Sequence, residues 1–354
     1  MNDRLKYLKT QLSAAGLDGM IVSNPFNIKY LTGLDAEGIL IIAPKEMIFI
    51  TDSRYIEEVT NVLTIDSEIM AVDIRSLNSY DFENFFMLCE NVGIEENYVT
   101  YADYKNYLEK YKVNLVETDN IIEKQRVIKS EDEISKIKTA CTITDETFDY
   151  IIHNIKKGMT EKEVAFEIQR YMISRGADGL AFDTIVASGP HASMPHAIPT
   201  DKVIEDGDVL LIDMGAKYQG YCSDFTRTVF VGNTDKYKEE YDFVLRQQKQ
   251  ISFGFRDNAN IKILIKEAER QYQNAQYSIM HAFGHSLGLY IHEEPRLRSN
   301  VDNPLKENMV VALEPGVYVA GKMGIRIEDT FLITKNGCEA LTKSPKEYTN
   351  IELI

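Results

Sequence analysis

The chain has 354 residues, of which 44% are hydrophobic, so it is long enough for two globular domains with apolar cores. Its 55 acidic residues exceed its 39 basic residues and give a formal net charge of −16, which argues against nucleic acid or an anionic membrane as a partner. No apolar stretch is long enough for a transmembrane helix, and the amino terminus lacks the apolar core of a signal peptide. The four cysteines are scattered without a C-x-x-C spacing, so we expect reduced thiols in a cytoplasmic protein.

Residues 1–125 alternate between helical and strand patterns, which predicts an α/β domain. Their glycines do not form a phosphate-binding pattern. Helices are predicted at 2–15, 77–90 and 102–110, and strands near 20–23, 39–43, 47–50, 69–72, 92–94 and 113–116.

Residues 126–354 combine long helices with hairpins, which predicts an α+β domain. Capping boxes begin helices at Ser130 and Thr160, because a glutamate stands three residues after each. Two further helices are predicted at 235–254 and 260–275, and a strand at 182–187. The predicted core stripe of the first helix is Ile134, Ile137, Cys141, Phe148 and Ile152.

A hairpin predicted at residues 209–230 carries an acid on each arm. Four apolar residues lead directly into Asp213, Gly215 and Gly220 bracket a turn, and a second β-prone run follows Asp224. A buried strand that ends in a carboxylate must satisfy that charge, because an unpaired buried carboxylate is very unfavourable. Taken alone, this pair is equally compatible with ordinary turn acids at strand ends.

A second stretch, residues 310–330, repeats this layout. An apolar run leads into Glu314, Gly316 follows two residues later, and Glu328 stands on the second arm. The histidine-rich segment 280–293 lies between the two hairpins. Four acids with an imidazole are a ligand set suited to divalent ions such as Mn²⁺, Co²⁺ or Zn²⁺. Bridging carboxylates could hold two such ions about 3.5–4 Å apart.

Five of the six histidines fall in two segments, 191–196 and 281–292, and this clustering near the acids favours a functional role. His153 lies outside every motif and is interpreted as structural, and His191 as a loop residue. Thr226 and Tyr218 are weaker candidates for hydrogen bonding to metal ligands.

These residues resemble the pita-bread metallopeptidases, which include Xaa-Pro aminopeptidase, Xaa-Pro dipeptidase and methionine aminopeptidase. The resemblance covers residues 130–354, and it extends to the first 125 residues through element order and the phrase Tyr30-Leu-Thr-Gly. It implies an amino-terminal creatinase/prolidase-like domain and a pita-bread catalytic domain with pseudo-twofold symmetry. It also implies five metal ligands, in the family's order Asp213, Asp224, His285, Glu314 and Glu328.

The resemblance implies roles for the remaining residues. Asp224 and Glu328 would contact both ions, and Glu314 would be ligand and general base for the attacking water. His196 and His292 would bind the scissile carbonyl and stabilise the developing oxyanion. His281 and Arg326 would complete the substrate pocket, with a hydrogen bond from Arg326 to a metal carboxylate.

The resulting hypothesis is an exopeptidase with two divalent ions, Mn²⁺ in preference to Co²⁺ or Zn²⁺, that cleaves the bond before a proline at the second position of a peptide. An aminopeptidase is preferred because the chain is compact, and Xaa-Pro dipeptidase (prolidase) is the alternative. The motifs do not decide between them. A metal-free peptide-binding or chaperone module is a remote alternative, opposed by the intact five-ligand set. The resemblance also implies a homodimer.

Overall fold

The computed structural model describes residues 3–63, 68–79 and 81–354. The chain divides into two compact units, Met1–Arg126 and Val127–Ile354, each with its own sheets and apolar core. No helix in the described part of the chain is long and apolar enough to cross a membrane.

The first unit is built on a six-stranded mixed sheet with the order β4-β3-β2-β1-β5-β6. The central strands β1 and β2 are antiparallel, whereas β1–β5, β5–β6 and β3–β4 are parallel. The predicted α/β class of this region is confirmed. The strands are β1 (Gly19–Val22), β2 (Ile39–Ile42), β3 (Met47–Thr51), β4 (Ile69–Asp73), β5 (Asn91–Ile94) and β6 (Asn114–Glu117).

The helices of the first unit differ from the prediction in one region. The single helix predicted at 77–90 is wrong for the described residues, which form a 3₁₀ turn (Ile74–Ser79) and the short helix α4. Phe82, Phe85 and Phe86 are all buried, so this aromatic cluster, rather than a regular helix, covers the sheet. The helices are α1 (Asp3–Ala14), α2 (Pro25–Thr32), α3 (Ile56–Val62), α4 (Phe82–Phe85), α5 (Tyr101–Tyr111) and α6 (Ile121–Arg126).

Two capped helices begin the second unit. They are α7 (Glu131–Ile152) and α8 (Glu161–Ser174). The hydroxyl of the cap residue, Ser130 or Thr160, accepts a hydrogen bond from the backbone N–H of the glutamate three residues later, and the carboxylate of that glutamate accepts from the backbone N–H of the cap residue. The predicted core stripe of α7 needs one correction, because Ile151 is buried and Ile152 only partly so. The remaining helices are α9 (Lys238–Phe253) and α10 (Ile261–Asn274).

Two antiparallel sheets carry the predicted hairpins. Their strands are β8 (Ile185–Ser188), β9 (Val209–Met214), β12 (Phe225–Val231), β13 (Gly284–Ser286), β14 (Glu293–Arg296), β15 (Val310–Leu313), β18 (Asp329–Ile333), β19 (Cys338–Ala340) and β20 (Asn350–Ile351). The first sheet has the order β20-β12-β9-β8, in which only β20 is parallel to its neighbour, and the second has the order β14-β13-β15-β18-β19. The predicted strand at 182–187 begins later, at Ile185.

Each predicted hairpin is in fact a pair of nested hairpins. Strands β9 and β12 enclose the short pair β10 (Ala216–Tyr218) and β11 (Tyr221–Cys222), and β7 (Gly179–Leu180) extends that pair. Strands β15 and β18 likewise enclose β16 (Gly316–Val319) and β17 (Met323–Arg326). The repeated arrangement is the pseudo-twofold feature of the pita-bread fold, and it brings the acids of both hairpins to equivalent breaks between outer and inner strands.

Candidate metal centre

Asp224, Glu314 and Glu328 lie where an outer strand of a nested hairpin gives way to an inner one, and Asp213 lies one residue before such a break. Asp213 is the penultimate residue of β9 and Asp224 directly precedes β12. Glu314 directly follows β15, and Glu328 stands between β17 and β18. Because outer and inner strands separate there, the side chains can converge without breaking a ladder hydrogen bond.

His285 lies at the centre of this cluster. Its Nε2 is 3.4 Å from Oδ2 of Asp224 and 3.8 Å from Oε1 of Glu314. Ligand atoms of Asp224, His285 and Glu328 all lie within 4.8 Å of one another, and the three residues are buried. The Nδ1–H of His285 donates to the carbonyl of Ser286 at 3.0 Å, which leaves Nε2 free to act as a ligand.

Burial and mutual repulsion disfavour the charged forms of these acids when no cation is present. Burial, Asp213 and Glu314 raise the pKa of Asp224 well above its usual value, and burial and Asp224 do the same for Glu328. Burial raises the pKa of Glu314 to about 8, and it lowers the pKa of His285 to about 3. A neutral imidazole beside crowded carboxylates is the protonation pattern of a cation site.

One further atom supports this interpretation. Oδ1 of Asp213 is buried and has no hydrogen-bond partner among the described residues. A buried carboxylate oxygen without a partner is unfavourable unless a cation satisfies it. The oxygen-rich donor set and this atom therefore fit bound divalent metal ions.

Arg326 is a buried cation beside the acid cluster. Its Nη2 donates to Oδ2 of Asp213 at 2.5 Å, its Nε to Oγ1 of Thr226 at 3.1 Å, and its Nη1 to the hydroxyl of Tyr318 at 2.6 Å and the carbonyl of Pro195 at 3.2 Å. Thr226 in turn donates to Oε2 of Glu328 at 2.6 Å. All three guanidinium nitrogens are thus engaged by the protein, which favours a positioning role over the predicted contact with substrate.

Tyr318 connects Arg326 to His281. The Tyr318 hydroxyl accepts from Arg326 and donates to Nε2 of His281 at 2.9 Å, while Nδ1–H of His281 donates to the carbonyl of Ala282. Burial lowers the pKa of His281 to about 4, in keeping with this neutral tautomer. Gly316 makes room for the tyrosine, because a Cβ there would lie 2.7 Å from its hydroxyl.

His196 and His292 stand on the walls of the cavity above the acids. Both side chains are exposed, and the ring of His292 lies edge-on to that of His285 with centroids 4.6 Å apart. Burial lowers the pKa of His292, so the ring is neutral at physiological pH. The cavity has a volume of about 540 Å³, and it is lined by all nine predicted site residues and by two arginines, Arg296 and Arg298.

Comparison with known proteins identifies the family. The model of metallopeptidase family M24 matches residues 135–335, which is more than half of the chain, and the model of the creatinase/prolidase N-terminal domain matches residues 4–128. The chain belongs to metallopeptidase family M24. This confirms the resemblance to the pita-bread metallopeptidases and identifies the protein as a hydrolase of the metal-dependent peptidase class.

Three known proteins show how far the similarity extends. The Xaa-Pro dipeptidase of Pyrococcus furiosus is 34% identical over 355 residues, covering 98% of this chain and 99% of that protein. The structure of an Xaa-Pro dipeptidase from Bacillus anthracis has a TM-score of 0.92 at 34% identity, with 99% of each chain covered. The structure of an X-Pro aminopeptidase from Thermotoga maritima has a TM-score of 0.90 at 31% identity, covering 99% of this chain and 100% of that one.

Other residues named from the sequence lie outside the cavity of this M24 protein. Tyr218 does not line it, and His153 is exposed, with its Nδ1 bonded to the carbonyl of Asp149 in the preceding helical turn. His191 does not line it either, but its Nδ1 lies 2.8 Å from the fully buried carboxylate of Glu161. Sequence reasoning missed Tyr318, although the β-strand alternation of residues 316–319 places it on the same face as Gly316 and provided a signal.

Proposed function

We propose that this M24 peptidase is an Xaa-Pro dipeptidase, which hydrolyses a dipeptide with proline in second place. The observation that carries the proposal is a single cavity that combines the acid–histidine cluster with two arginines. The similarity to the dipeptidases of P. furiosus and B. anthracis over nearly the whole chain supports the same specificity. The aminopeptidase favoured from the compact chain length becomes the second candidate.

This proposal includes two divalent metal ions, for which Mn²⁺ is the preferred identity. The residues that would hold them are Asp213, Asp224, His285, Glu314 and Glu328. Such ions, when bound, polarise a carbonyl and lower the pKa of an attacking water towards about 7. The buried, unpaired Oδ1 of Asp213 and the raised pKa values of three acids support the ligand set.

Glu314 is suited to the role of general base. One of its oxygens lies 3.8 Å from Nε2 of His285, the other lies 3.6 Å from Nδ1 of His281, and the residue is only partly buried, so it faces the cavity. A carboxylate in this position can accept a proton from the attacking water and later deliver it to the leaving proline nitrogen.

His196 and His292 are suited to binding the scissile carbonyl. A neutral imidazole with a free N–H can donate to the carbonyl oxygen and donate more strongly to the oxyanion that develops there. Both rings are exposed to the cavity, so a substrate can reach them without displacement of the acid cluster. Arg326 acts through Asp213, whose oxygen it holds at 2.5 Å.

Arg296 and Arg298 favour a dipeptide over a longer peptide. A dipeptide ends in a carboxylate one residue beyond the scissile bond, and a guanidinium binds a carboxylate strongly. Arg296 also lies close enough to His285 and His292 to disfavour their protonation. A longer peptide places an uncharged amide where the dipeptide has its carboxylate, so the charged hydrogen bond from the arginine to the substrate is lost.

The second candidate, an Xaa-Pro aminopeptidase, is favoured by the match to the T. maritima structure. Turnover of Ala-Pro and Ala-Pro-Ala by the Mn²⁺-loaded protein separates the two. A dipeptidase cleaves Ala-Pro and cleaves the tripeptide at least about tenfold less efficiently, because each lost charged hydrogen bond costs about 1.5–3 kcal/mol. Equal or faster cleavage of the tripeptide would favour the aminopeptidase.

A variant of Arg296 tests for binding of the substrate carboxylate without a change in the length of the peptide. Arg296→Ala is expected to reduce kcat/KM for Ala-Pro but not for Ala-Pro amide, which has no carboxylate. Arg270→Ala is the matched control, because in the part of the chain that the structure describes this exposed arginine pairs only with its helix neighbour Glu267. Equal losses on both substrates would show that Arg296 does not bind a substrate carboxylate.

A further inference from the structure

The loop that carries His196 is closed at its base by one buried carboxylate. Glu161, the first residue of α8, is fully buried. Its Oε1 accepts from Ser188 N at 2.7 Å and from Ser188 Oγ at 3.0 Å, and its Oε2 accepts from Thr200 N at 3.0 Å and from Thr200 Oγ1 at 2.7 Å. Nδ1 of His191 lies 2.8 and 3.0 Å from the two oxygens. The Glu161 side chain therefore bonds Ser188, which directly precedes the loop of residues 189–200, His191 within the loop, and Thr200 at its end.

The far side of the loop is held by the hairpin that carries Arg326. Arg326 donates to the carbonyl of Pro195, directly before His196. The carbonyl of Ala192 packs against Gly324 so closely that a Cβ on that glycine would lie 1.8 Å from the oxygen. The loop is thus fixed at its base and along its inner edge, while the side chain of His196 stays exposed to the cavity.

We propose that Glu161, together with His191, is a positioning group that fixes the 189–200 loop so that His196 can contact the substrate. The inference rests on the proposed function, in which His196 binds the scissile carbonyl. Glu161 does not line the cavity, so it cannot touch the substrate and acts only through the loop.

The chemistry of the contact requires a carboxylate. All five donor groups around Glu161 point at its oxygens, and an ionised carboxylate accepts at every site. Hydrogen bonds from Thr200, His191 and Ser188 outweigh burial and hold the pKa of Glu161 below its usual value, so it is ionised at neutral pH. A glutamine would turn an N–H₂ group towards at least one of these donors, which replaces a hydrogen bond by a repulsive contact.

The test is a double-mutant cycle on the full-length, Mn²⁺-loaded protein with Ala-Pro as substrate. His196→Ala is expected to lower kcat about 10²–10³-fold, as removal of an oxyanion donor does. Glu161→Gln is expected to lower kcat at least tenfold. In the double variant, Glu161→Gln should change kcat by less than threefold beyond His196→Ala, because both changes then remove the same contact.

Glu163→Gln is the matched control. Glu163 lies two residues after Glu161 in the same helical turn and carries the same charge, but among the described residues its carboxylate bonds only to the cap residue Thr160. This variant should retain kcat within about twofold, and metal content should stay unchanged in every variant. If Glu161→Gln does not fold, Thr200→Val, which removes one hydroxyl donor to Glu161, enters the same cycle in its place.

Three results would overturn the inference. The first is that the kcat losses of the two single variants multiply in the double variant. The second is wild-type kinetics in Glu161→Gln. The third is loss of metal from Glu161→Gln, which would place its effect at the acid cluster. Failure of the proposed function is distinguishable, because it would be seen as wild-type protein that does not cleave Ala-Pro. The cycle would then be measured with whichever peptide the wild-type protein hydrolyses.

Discussion

Without metal, the stability of the catalytic unit should increase as the pH falls from 9 to 7. The pKa of Glu314 rises from a usual 4.5 to about 8 in the folded protein, mainly through burial. A folded state that holds a proton more tightly than the unfolded state is stabilised as the proton binds, so stability is lost as the pH rises through about 8. The pKa values of Asp224 and Glu328 are raised as well and act in the same direction.

The magnitude follows from the two pKa values of Glu314. Between pH 9 and pH 7, a carboxyl with pKa 8 when folded and 4.5 when unfolded contributes about 1–1.5 kcal/mol to the free energy of unfolding. His281, His285 and His292 have lowered pKa values and oppose this trend only as the pH approaches 7, because they protonate first in the unfolded chain. Burial also raises the pKa values of Cys89, Cys141 and Cys338, and these thiols lower the stability towards pH 9 in the same direction. The contribution of Glu314 is therefore taken from the difference between the wild-type protein and a variant without this carboxyl.

The assay is urea unfolding of chelator-treated protein at pH 7, 8 and 9, with Glu314→Gln as the control. The variant has no carboxyl at this position. Between pH 7 and pH 9 its free energy of unfolding should therefore change by about 1 kcal/mol less than that of the wild-type protein. With Mn²⁺ in excess the trend should reverse, because metal competes with protons for the same oxygens. Stability that is constant or decreases from pH 9 to pH 7 without metal, or an identical slope in Glu314→Gln, would refute the reasoning.

The remaining predictions concern metal, catalysis, packing and assembly. Chelation should abolish peptidase activity and Mn²⁺ or Co²⁺ should restore it, whereas full activity in protein found metal-free by elemental analysis would exclude a metal-dependent reaction. His292→Ala should retain metal and fold but lose about 10²–10³ in kcat, and near-normal turnover would make this histidine a bystander. Lys129→Met should lower the free energy of unfolding in urea by about 3–5 kcal/mol, because it removes the ion-pair partner that lies 3.0 Å from the buried Glu293 carboxylate. A decrease below about 1 kcal/mol would contradict this prediction. The family resemblance predicts that light scattering shows a homodimer at micromolar concentration, and a fully active monomer would contradict this prediction.

The acids could be predicted from the sequence because their signal is local. A run of buried residues that ends in a carboxylate is visible without tertiary information, and its repetition at 209–230 and 310–330 made the pattern specific. The family resemblance then gave each position an expected role, and the structure brings these positions together. The nested pairing was not visible, because inner strands as short as β11 are defined by hydrogen bonds to neighbours rather than by periodicity.

The supporting groups could not be predicted because their signal is not local. Glu161 and His191 are 30 residues apart, and Tyr318 and His281 are 37 apart, so only the tertiary fold shows that they touch. Glu161 looked like an ordinary residue of a helix's first turn, where acids are common because of the helix dipole. Its full burial is the property that distinguishes it, and burial of a single polar residue is not encoded in its neighbours.

The two kinds of site residue need different kinds of support. The acids stand beside strands whose ladder hydrogen bonds fix the backbone, so the paired strands themselves set where the carboxylates meet. His196 follows a 3₁₀ turn in a segment that is not part of any sheet, and the backbone there has no ladder to hold it. A loop in that position must be fixed by side chains if it is to hold a donor within hydrogen-bond reach of a carbonyl. Glu161 and Arg326 supply that restraint from opposite sides, which is why a change in either should reach the chemistry without removing a single metal ligand.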